Sequence, residues 1–251
     1  MPKLIILGTS NAIPDIDHDN THLAVIGEKT FLLIDTASNP TIRLPQAGLD
    51  PLKLDRLILT HFHPDHTAGV PALFMNSWLS GRKDPLDVYG LADTLQRVEK
   101  NMQLYEWESW PNFFPVEFHN LPAEEKALAF ESEDFKVFVS PVRHMVPVIG
   151  VRIESRLTGK VVVYSSDTEP CLEIVRLAAG ADLFLHEASG AGYGHSSAAQ
   201  AGEAARQAGV GELYLIHYPT RGFDPQPFVE QARQSFGGPV TLSCDFMELD
   251  F

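Results

Sequence analysis

The sequence predicts an α/β fold of four layers, α/β/β/α, with two sheets face to face and helices outside. Three observations lead there. The apolar runs Leu57 to His61, Leu183 to His186 and Leu213 to His217 read as buried strands, each ending at a histidine. Leu33-Ile34-Asp35-Thr36 recurs as Tyr164-Ser165-Ser166-Asp167-Thr168, again at a strand end, a faint echo of two similar halves. No linker, low-complexity tract or composition break divides the chain, so residues 1–251 read as one domain.

Taken in order, residues 3–8 form a first strand running into Gly8-Thr9-Ser10, then a polar loop through Asn20. Thr21 to Ile26 and Thr30 to Ile34 pair as a hairpin around Gly27-Glu28. Thr41 to Ala47 is a short helix stopped by Gly48, Leu54 to Thr60 a strand, and Gly69 to Leu79 a helix stopped by Gly81. Leu86 to Gly90 is a strand and Ala92 to Met102 a helix. Tyr105, Trp107, Trp110, Phe113, Phe114 and Phe118 crowd the stretch 104–118, as core, subunit contact or substrate wall.

Phe135 to Val139, Val148 to Glu154 and Lys160 to Tyr164 are strands, with His144 between the first two. Glu173 to Ala179 is helical and Ala181 to Leu185 a strand. Ser196 to Ala208 is an Ala-rich helix, with Ser197 and Gln200 at capping-box spacing and Gly209 past its end. Leu213 to Ile216 is a buried strand, Phe228 to Phe236 a helix, and Val240 to Leu242 a last strand.

The formal net charge of −14 works against a broad nucleic-acid surface, which needs clustered Lys and Arg. The apolar runs are too short to span a membrane. The start Met1-Pro2-Lys3 enters a strand directly without a signal-peptide pattern, and Cys171 and Cys244 match no zinc or redox spacing. A cytoplasmic, disulfide-free protein is expected.

The chemistry concentrates in Leu57-Ile58-Leu59-Thr60-His61-Phe62-His63-Pro64-Asp65-His66. The apolar run must end where charge begins, which places imidazoles and a carboxylate on the turn past the strand's carboxyl end. Those are the groups that zinc and similar divalent ions bind. His144, Asp167 and His217 each follow another apolar strand and complete a seven-residue set.

The pattern H-x-H-x-D-H followed by His, Asp and His resembles the metallo-β-lactamase superfamily over nearly the whole chain. That resemblance implies the metallo-β-lactamase sandwich and two divalent metal ions, zinc in the first place, with manganese, iron or cobalt as alternatives. His61, His63 and His144 would hold one ion, Asp65, His66 and His217 the other, with Asp167 between them. Leu7-Gly8-Thr9-Ser10-Asn11-Ala12-Ile13-Pro14, His186-Glu187-Ala188-Ser189, Gly194-His195-Ser196-Ser197 and His217-Tyr218-Pro219-Thr220-Arg221 look like the ribonuclease Z branch.

Two features depart from that branch. Asp35-Thr36-Ala37-Ser38 replaces its Asp-Cys-Gly-Glu, and only about twenty residues separate His144 from Asp167, where its tRNA-cleaving members carry a long tRNA-gripping arm. With the charge of −14, tRNA maturation is disfavoured, and a small phosphodiester or an RNA end is the expected substrate. The alternative is a lactonase or a carboxyl-ester or thioester hydrolase on the same metals. A metal-binding scaffold without catalysis is a third reading, and the complete ligand set opposes it.

In the phosphodiesterase reading Asp65 orients and deprotonates the attacking water. His195, just before a helix amino end, is the expected general acid, with Glu187 keeping its proton on. Arg221 pairs with substrate phosphate or forms a structural salt bridge. His18, His22, His119 and His186 read as ordinary structural residues. The resemblance also implies dimers through helices flanking the site, with the aromatics from Trp78 to Phe118 as the contact.

Overall fold

The computed structural model describes residues 1–222 and 224–251. The first half runs β1 (Lys3–Gly8), β2 (His22–Ile26), β3 (Phe31–Ile34), α1 (Pro40–Gln46), β4 (Arg56–Leu59), α2 (Pro64–Thr67), α3 (Val70–Leu79), β5 (Leu86–Leu91), α4 (Ala92–Gln103) and β6 (Val116–Leu121). The second runs β7 (Ala127–Glu131), β8 (Phe135–Val142), β9 (Val148–Ser155), β10 (Val161–Tyr164), α5 (Leu172–Ala178), β11 (Leu183–Glu187), α6 (Ala198–Ala208), β12 (Glu212–Ile216), α7 (Gln226–Phe236), β13 (Val240–Leu242) and β14 (Glu248–Asp250).

Among the described residues these strands make two seven-stranded sheets, β14-β1-β2-β3-β4-β5-β6 and β13-β12-β11-β10-β9-β8-β7. The period-2 alternation of a strand feeds two cores from each sheet. Ile58, Tyr164, Leu185 and Ile216 point between the sheets, while Leu57, Leu59 and Phe74 pack the first outer layer and Val163, Phe184 and Leu215 the second. Strands buried on both faces explain the unbroken apolar runs. The four layers are those expected.

Strand direction then decides where chemistry collects. β3, β4, β5 and β6 run parallel, so the residues after β3 and β4 share one edge of the first sheet. In the second sheet β9 is antiparallel to both β8 and β10, and β10, β11 and β12 are parallel. The carboxyl ends of β8, β10, β11 and β12 therefore share an edge too. The two edges face each other.

Local signals mostly hold. Ser197 and Gln200 form the reciprocal capping box of α6, and Gly209 ends it in the left-handed region. The strands β6, β7 and β14 lie outside the sequence expectation. β6 and β7 border their sheets and leave several side chains to solvent, which blurs their alternation, and β14 is three residues long. The aromatic stretch is core for the most part: Trp107 and Phe114 are buried beside Phe74, and Trp78 stacks on Trp110 at 5.0 Å. Among the described residues, no helix is long and apolar enough to cross a membrane.

Candidate metal centre and acid pair

The turn after β4 bends at once into α2, so His61, His63, Asp65 and His66 leave the first sheet within one helical turn. Asp35, Ser166 and His217, at or just past the ends of β3, β10 and β12, all have positive φ (61°, 54° and 52°). Left-handed backbone is costly for such residues and persists where the surroundings over-determine it. Here the strain turns strand ends inward.

The structure brings all seven sequence-predicted donors together, in two groups. His61 Nε2 and His144 Nε2 each lie 3.1 Å from His63 Nδ1. Beside them, Asp65 Oδ2 is 3.5 Å from His66 Nε2 and 3.4 Å from His217 Nε2. Asp167 lies between the groups. Its Oδ2 is 3.8 Å from both His61 and His144 and 3.5 Å from His66, and its Oδ1 is 3.4 Å from His217.

These separations are those of donors around a cation. Two nitrogens bound at about 2.0–2.1 Å and a tetrahedral angle sit about 3.3 Å apart. Among the described residues the buried His66 Nε2 and Asp167 Oδ1 also lack any hydrogen-bond partner, an expensive condition that a bound ion would remove. The donor set fits divalent metal.

The outer ring nitrogens are committed elsewhere, which fixes which nitrogen faces the centre. Thr60 Oγ1 donates to Asp35 Oδ2 at 2.8 Å, so His61 Nδ1 donates to Thr60 at 3.1 Å. His66 Nδ1 donates to Asp35 Oδ2 at 2.8 Å, with both side chains fully buried. His144 Nδ1 donates to the Gly194 carbonyl at 2.7 Å. Ser189 Oγ donates to the His217 carbonyl at 2.7 Å and accepts from His217 Nδ1 at 2.8 Å.

Electrostatics agree with a site built for positive charge. Burial lowers His61, His63 and His144. Burial would lower His66 as well, yet the Asp167 and Asp35 carboxylates outweigh it and raise that imidazole well above its ordinary value. Burial would raise Asp65, but His217 and His66 hold its carboxyl below the usual range.

A histidine–carboxylate pair, His195 and Glu187, lies on the second sheet's edge. His195 Nδ1 is 3.0 Å from Glu187 Oε1, and Glu187 is fully buried. The Glu187 carboxylate also accepts the backbone N–H groups of Thr168, Ser189 and Ser196. Burial raises the Glu187 carboxyl. Burial lowers His195, but its hydrogen bond to the Glu187 carboxylate prevails and raises it. His195, Asp65, Asp167, His217, Asn11 and Met145 are among the residues lining a cavity of about 260 Å³.

The remaining sequence candidates fall away from the centre. Arg221 is exposed and its Nε donates to the Pro14 carbonyl at 3.2 Å, leaving its terminal nitrogens available. His186 shares the outer face of β11 with Phe184, because alternation turns Glu187 inward and its neighbour away. His18 pairs with Asp15, His119 with Asp87, and His22 with the Asn20 carbonyl. A wider depression of about 390 Å³ between α5 and α6, lined by Arg143, Cys171, Leu172 and Gln200, brings no such donor set together.

Asp35 is the site residue the sequence left without a role. Its signals were a carboxylate directly after an apolar strand, the echo of the Asp167 stretch, and the Asp it shares with the branch's Asp-Cys-Gly-Glu. Its Oδ1 accepts the Thr60 N–H and its Oδ2 accepts from both Thr60 Oγ1 and His66, so it orients two imidazoles at once. Asp35→Ala is expected to weaken metal binding by about 10–100-fold, read by competition with a chromophoric chelator. Unchanged affinity would remove Asp35 from the site.

Residues 27–218 match the family described as the beta-lactamase superfamily domain. The chain is 29% identical over 300 aligned positions to a ribonuclease Z of Methanothermobacter thermautotrophicus, covering 98% of this chain and 95% of that one. Among solved structures it is similar to a metallo-β-lactamase fold protein of Bacillus subtilis, with a TM-score of 0.82, 21% identity and coverage of 99% and 98%. It is also similar to the short form of human tRNase Z, with a TM-score of 0.79, 23% identity and coverage of 99% and 98%.

Proposed function

Because this chain belongs to the beta-lactamase superfamily, we propose that it is a metal-dependent phosphodiesterase of ribonuclease Z-like chemistry, acting on small phosphodiesters or RNA ends. The observation that carries the reading is the acid pair His195–Glu187 beside the two donor groups. Hydrolysis of an ester with a good leaving group needs no positioned acid, whereas expelling an alkoxide from phosphorus does.

In this reading His61, His63 and His144 would hold one ion and Asp65, His66 and His217 the other, with Asp167 within reach of both groups. The mixed nitrogen and oxygen set suits zinc, with manganese, iron or cobalt as substitutes. When bound, two such ions lower the pKa of water towards neutrality and neutralise charge on the phosphoryl oxygens. The Asp65 carboxylate lines the cavity and takes the proton of the attacking water. Glu187 occupies His195 Nδ1, so the proton passed to the leaving oxygen departs from Nε2. The terminal nitrogens of Arg221 are left to meet a substrate phosphate.

Several features favour a small substrate over tRNA. Between His144 and Asp167 the chain is spent on β9, β10 and the turns beside them, with no projecting arm. The alignment with the ribonuclease Z relative spans 300 positions against 251 residues here, so that relative carries segments this chain lacks. Loops bordering the cavity expose Ile13 (58%), Ile16 (98%), Met145 (47%) and Tyr193 (79%). Such a rim suits a nucleobase or other flat apolar group better than a phosphate backbone.

Both sheets supply donors to one site, which supports treating 1–251 as one unit. The unpaired thiols Cys171 and Cys244 fit a reducing, cytoplasmic setting. Exposed Met75, Leu79, Leu104 and Tyr105 offer an apolar face for a homodimer.

The test is turnover by metal-loaded protein of bis(p-nitrophenyl) phosphate beside a panel of lactones and thioesters. The diester is expected to be hydrolysed at least about tenfold faster in kcat/KM, and chelation should abolish the activity. Preference for a lactone or thioester would replace the phosphodiesterase by a carbonyl hydrolase.

A further inference from the structure

Glu169 belongs to neither donor group and does not touch the acid pair. Its own backbone is pinned: its N–H donates to the Arg143 carbonyl at 2.7 Å, and its carbonyl accepts from Thr168 Oγ1 at 2.8 Å. From that anchor its Oε1 accepts the Gly194 N–H at 2.8 Å. Gly194 is the point where the centre and the acid meet. Its carbonyl is the acceptor that orients His144, and the next residue is His195.

That carbonyl and the His195 N–H are the two ends of one planar peptide unit. Tilting the unit moves the acceptor under His144 and the root of the His195 side chain together. Within the turn the His195 N–H donates to the Gly192 carbonyl at 3.2 Å, but that tether ends on a glycine, and Gly190, Gly192 and Gly194 recur in the turn, with Gly190 and Gly194 at positive φ, so an anchor from outside it matters. A side chain cannot stiffen the position, because a Cβ on Gly194 would stand 2.7 Å from His144 Nδ1. The Glu187 carboxylate ties the turn at Ser189 and Ser196, at its two ends. Glu169 ties it at Gly194.

We propose that Glu169 is a positioning residue that anchors Gly194 through its N–H, on the peptide just before the Gly194–His195 unit, so that one carboxylate steadies both the carbonyl under His144 and the start of His195. The acid half of this inference rests on the phosphodiesterase reading; the His144 half does not. Releasing the Gly194 N–H frees both parts at once, with no loss of a residue that reaches substrate or the donor groups.

The test compares Glu169→Ala and Glu169→Gln in the full chain. Metal affinity is measured by chelator competition, and kcat and KM on bis(p-nitrophenyl) phosphate and on a dinucleoside monophosphate. p-Nitrophenolate departs without a proton, whereas a nucleoside alkoxide requires one. Glu169→Ala should bind metal about tenfold more weakly. At saturating metal its kcat loss should be at least about ten times larger on the dinucleoside than on the nitrophenyl diester, with similar KM. Glu169→Gln keeps an oxygen for the Gly194 N–H and should recover both properties to within about threefold.

Equal losses on the two substrates, unchanged metal affinity, or a glutamine variant as impaired as alanine would each overturn the proposal. Should the wild-type protein cleave neither diester, the phosphodiesterase reading fails, and metal affinity in the same variants still decides the His144 half. If Glu169→Ala does not fold, Glu169→Asp, one methylene too short to reach Gly194, serves in its place.

Discussion

Asp167→Asn should strip the centre of metal and lower diester turnover by about 10³-fold or more, several kcal/mol of lost transition-state stabilisation. The substitution keeps the shape and one acceptor oxygen and removes the charge. The oxygens of Asp167 face histidines of both groups, His61 and His144 on one side and His66 and His217 on the other. Burial would raise its carboxyl, yet His217 and His66 hold it well below the ordinary range, so it is an anion in a closed pocket. Without that charge, the two donor groups would lose the carboxylate between them that would neutralise bound cations. Elemental analysis after dialysis, with far-UV circular dichroism to show the fold intact, reads the result. A variant that kept both ions would show that Asp167 does not join them.

His195→Ala is expected to cut kcat on a dinucleoside monophosphate by about 10²–10⁴-fold, the range of a lost general acid. On p-nitrophenyl diesters the loss should be at least about ten times smaller, because that leaving group needs no proton. The geometry behind this is specific. Glu187 is buried, accepts three backbone N–H groups, and meets His195 Nδ1 at 3.0 Å, so its carboxylate is fixed and the imidazole turns with it. Losses of equal size on both substrates would make His195 a wall of the cavity rather than the acid.

How much of this was legible beforehand follows from what each residue depends on. His61, His63, Asp65 and His66 could be read because they crowd one turn after an apolar strand, and a strand's end is a local property. His144, Asp167 and His217 could be read as candidates for the same reason, one strand at a time. His186 shows the limit of that rule. It also ends an apolar run, but it stands one residue short of the inward-facing Glu187, and alternation sends it against Phe184.

The strands β6, β7 and β14 escaped the sequence for a related reason. An apolar run signals burial on both faces, and these strands each bury only an isolated residue, Leu121 of β6, Phe130 of β7 and Leu249 of β14. The loop after β1 was legible only as a stretch resembling the ribonuclease Z branch, and the fold alone makes Asn11 and Ala12 walls of the cavity. Its place is set by contacts far along the chain, among them Asn11 N–H to the Tyr218 carbonyl at 3.1 Å.

By itself the sequence determined the layers, the order of the buried strands and the candidate donor residues, since all of these follow from hydrophobic period and residue type over a few positions. Only the tertiary structure decided that Asp35 would orient His61 and His66, that the Gly194 carbonyl would orient His144, and that Glu169 would anchor the Gly194 N–H just before His195. Those roles depend on which backbone groups meet across the facing sheet edges. A carbonyl oxygen looks the same at every residue, so its role exists only once the chain is folded around it.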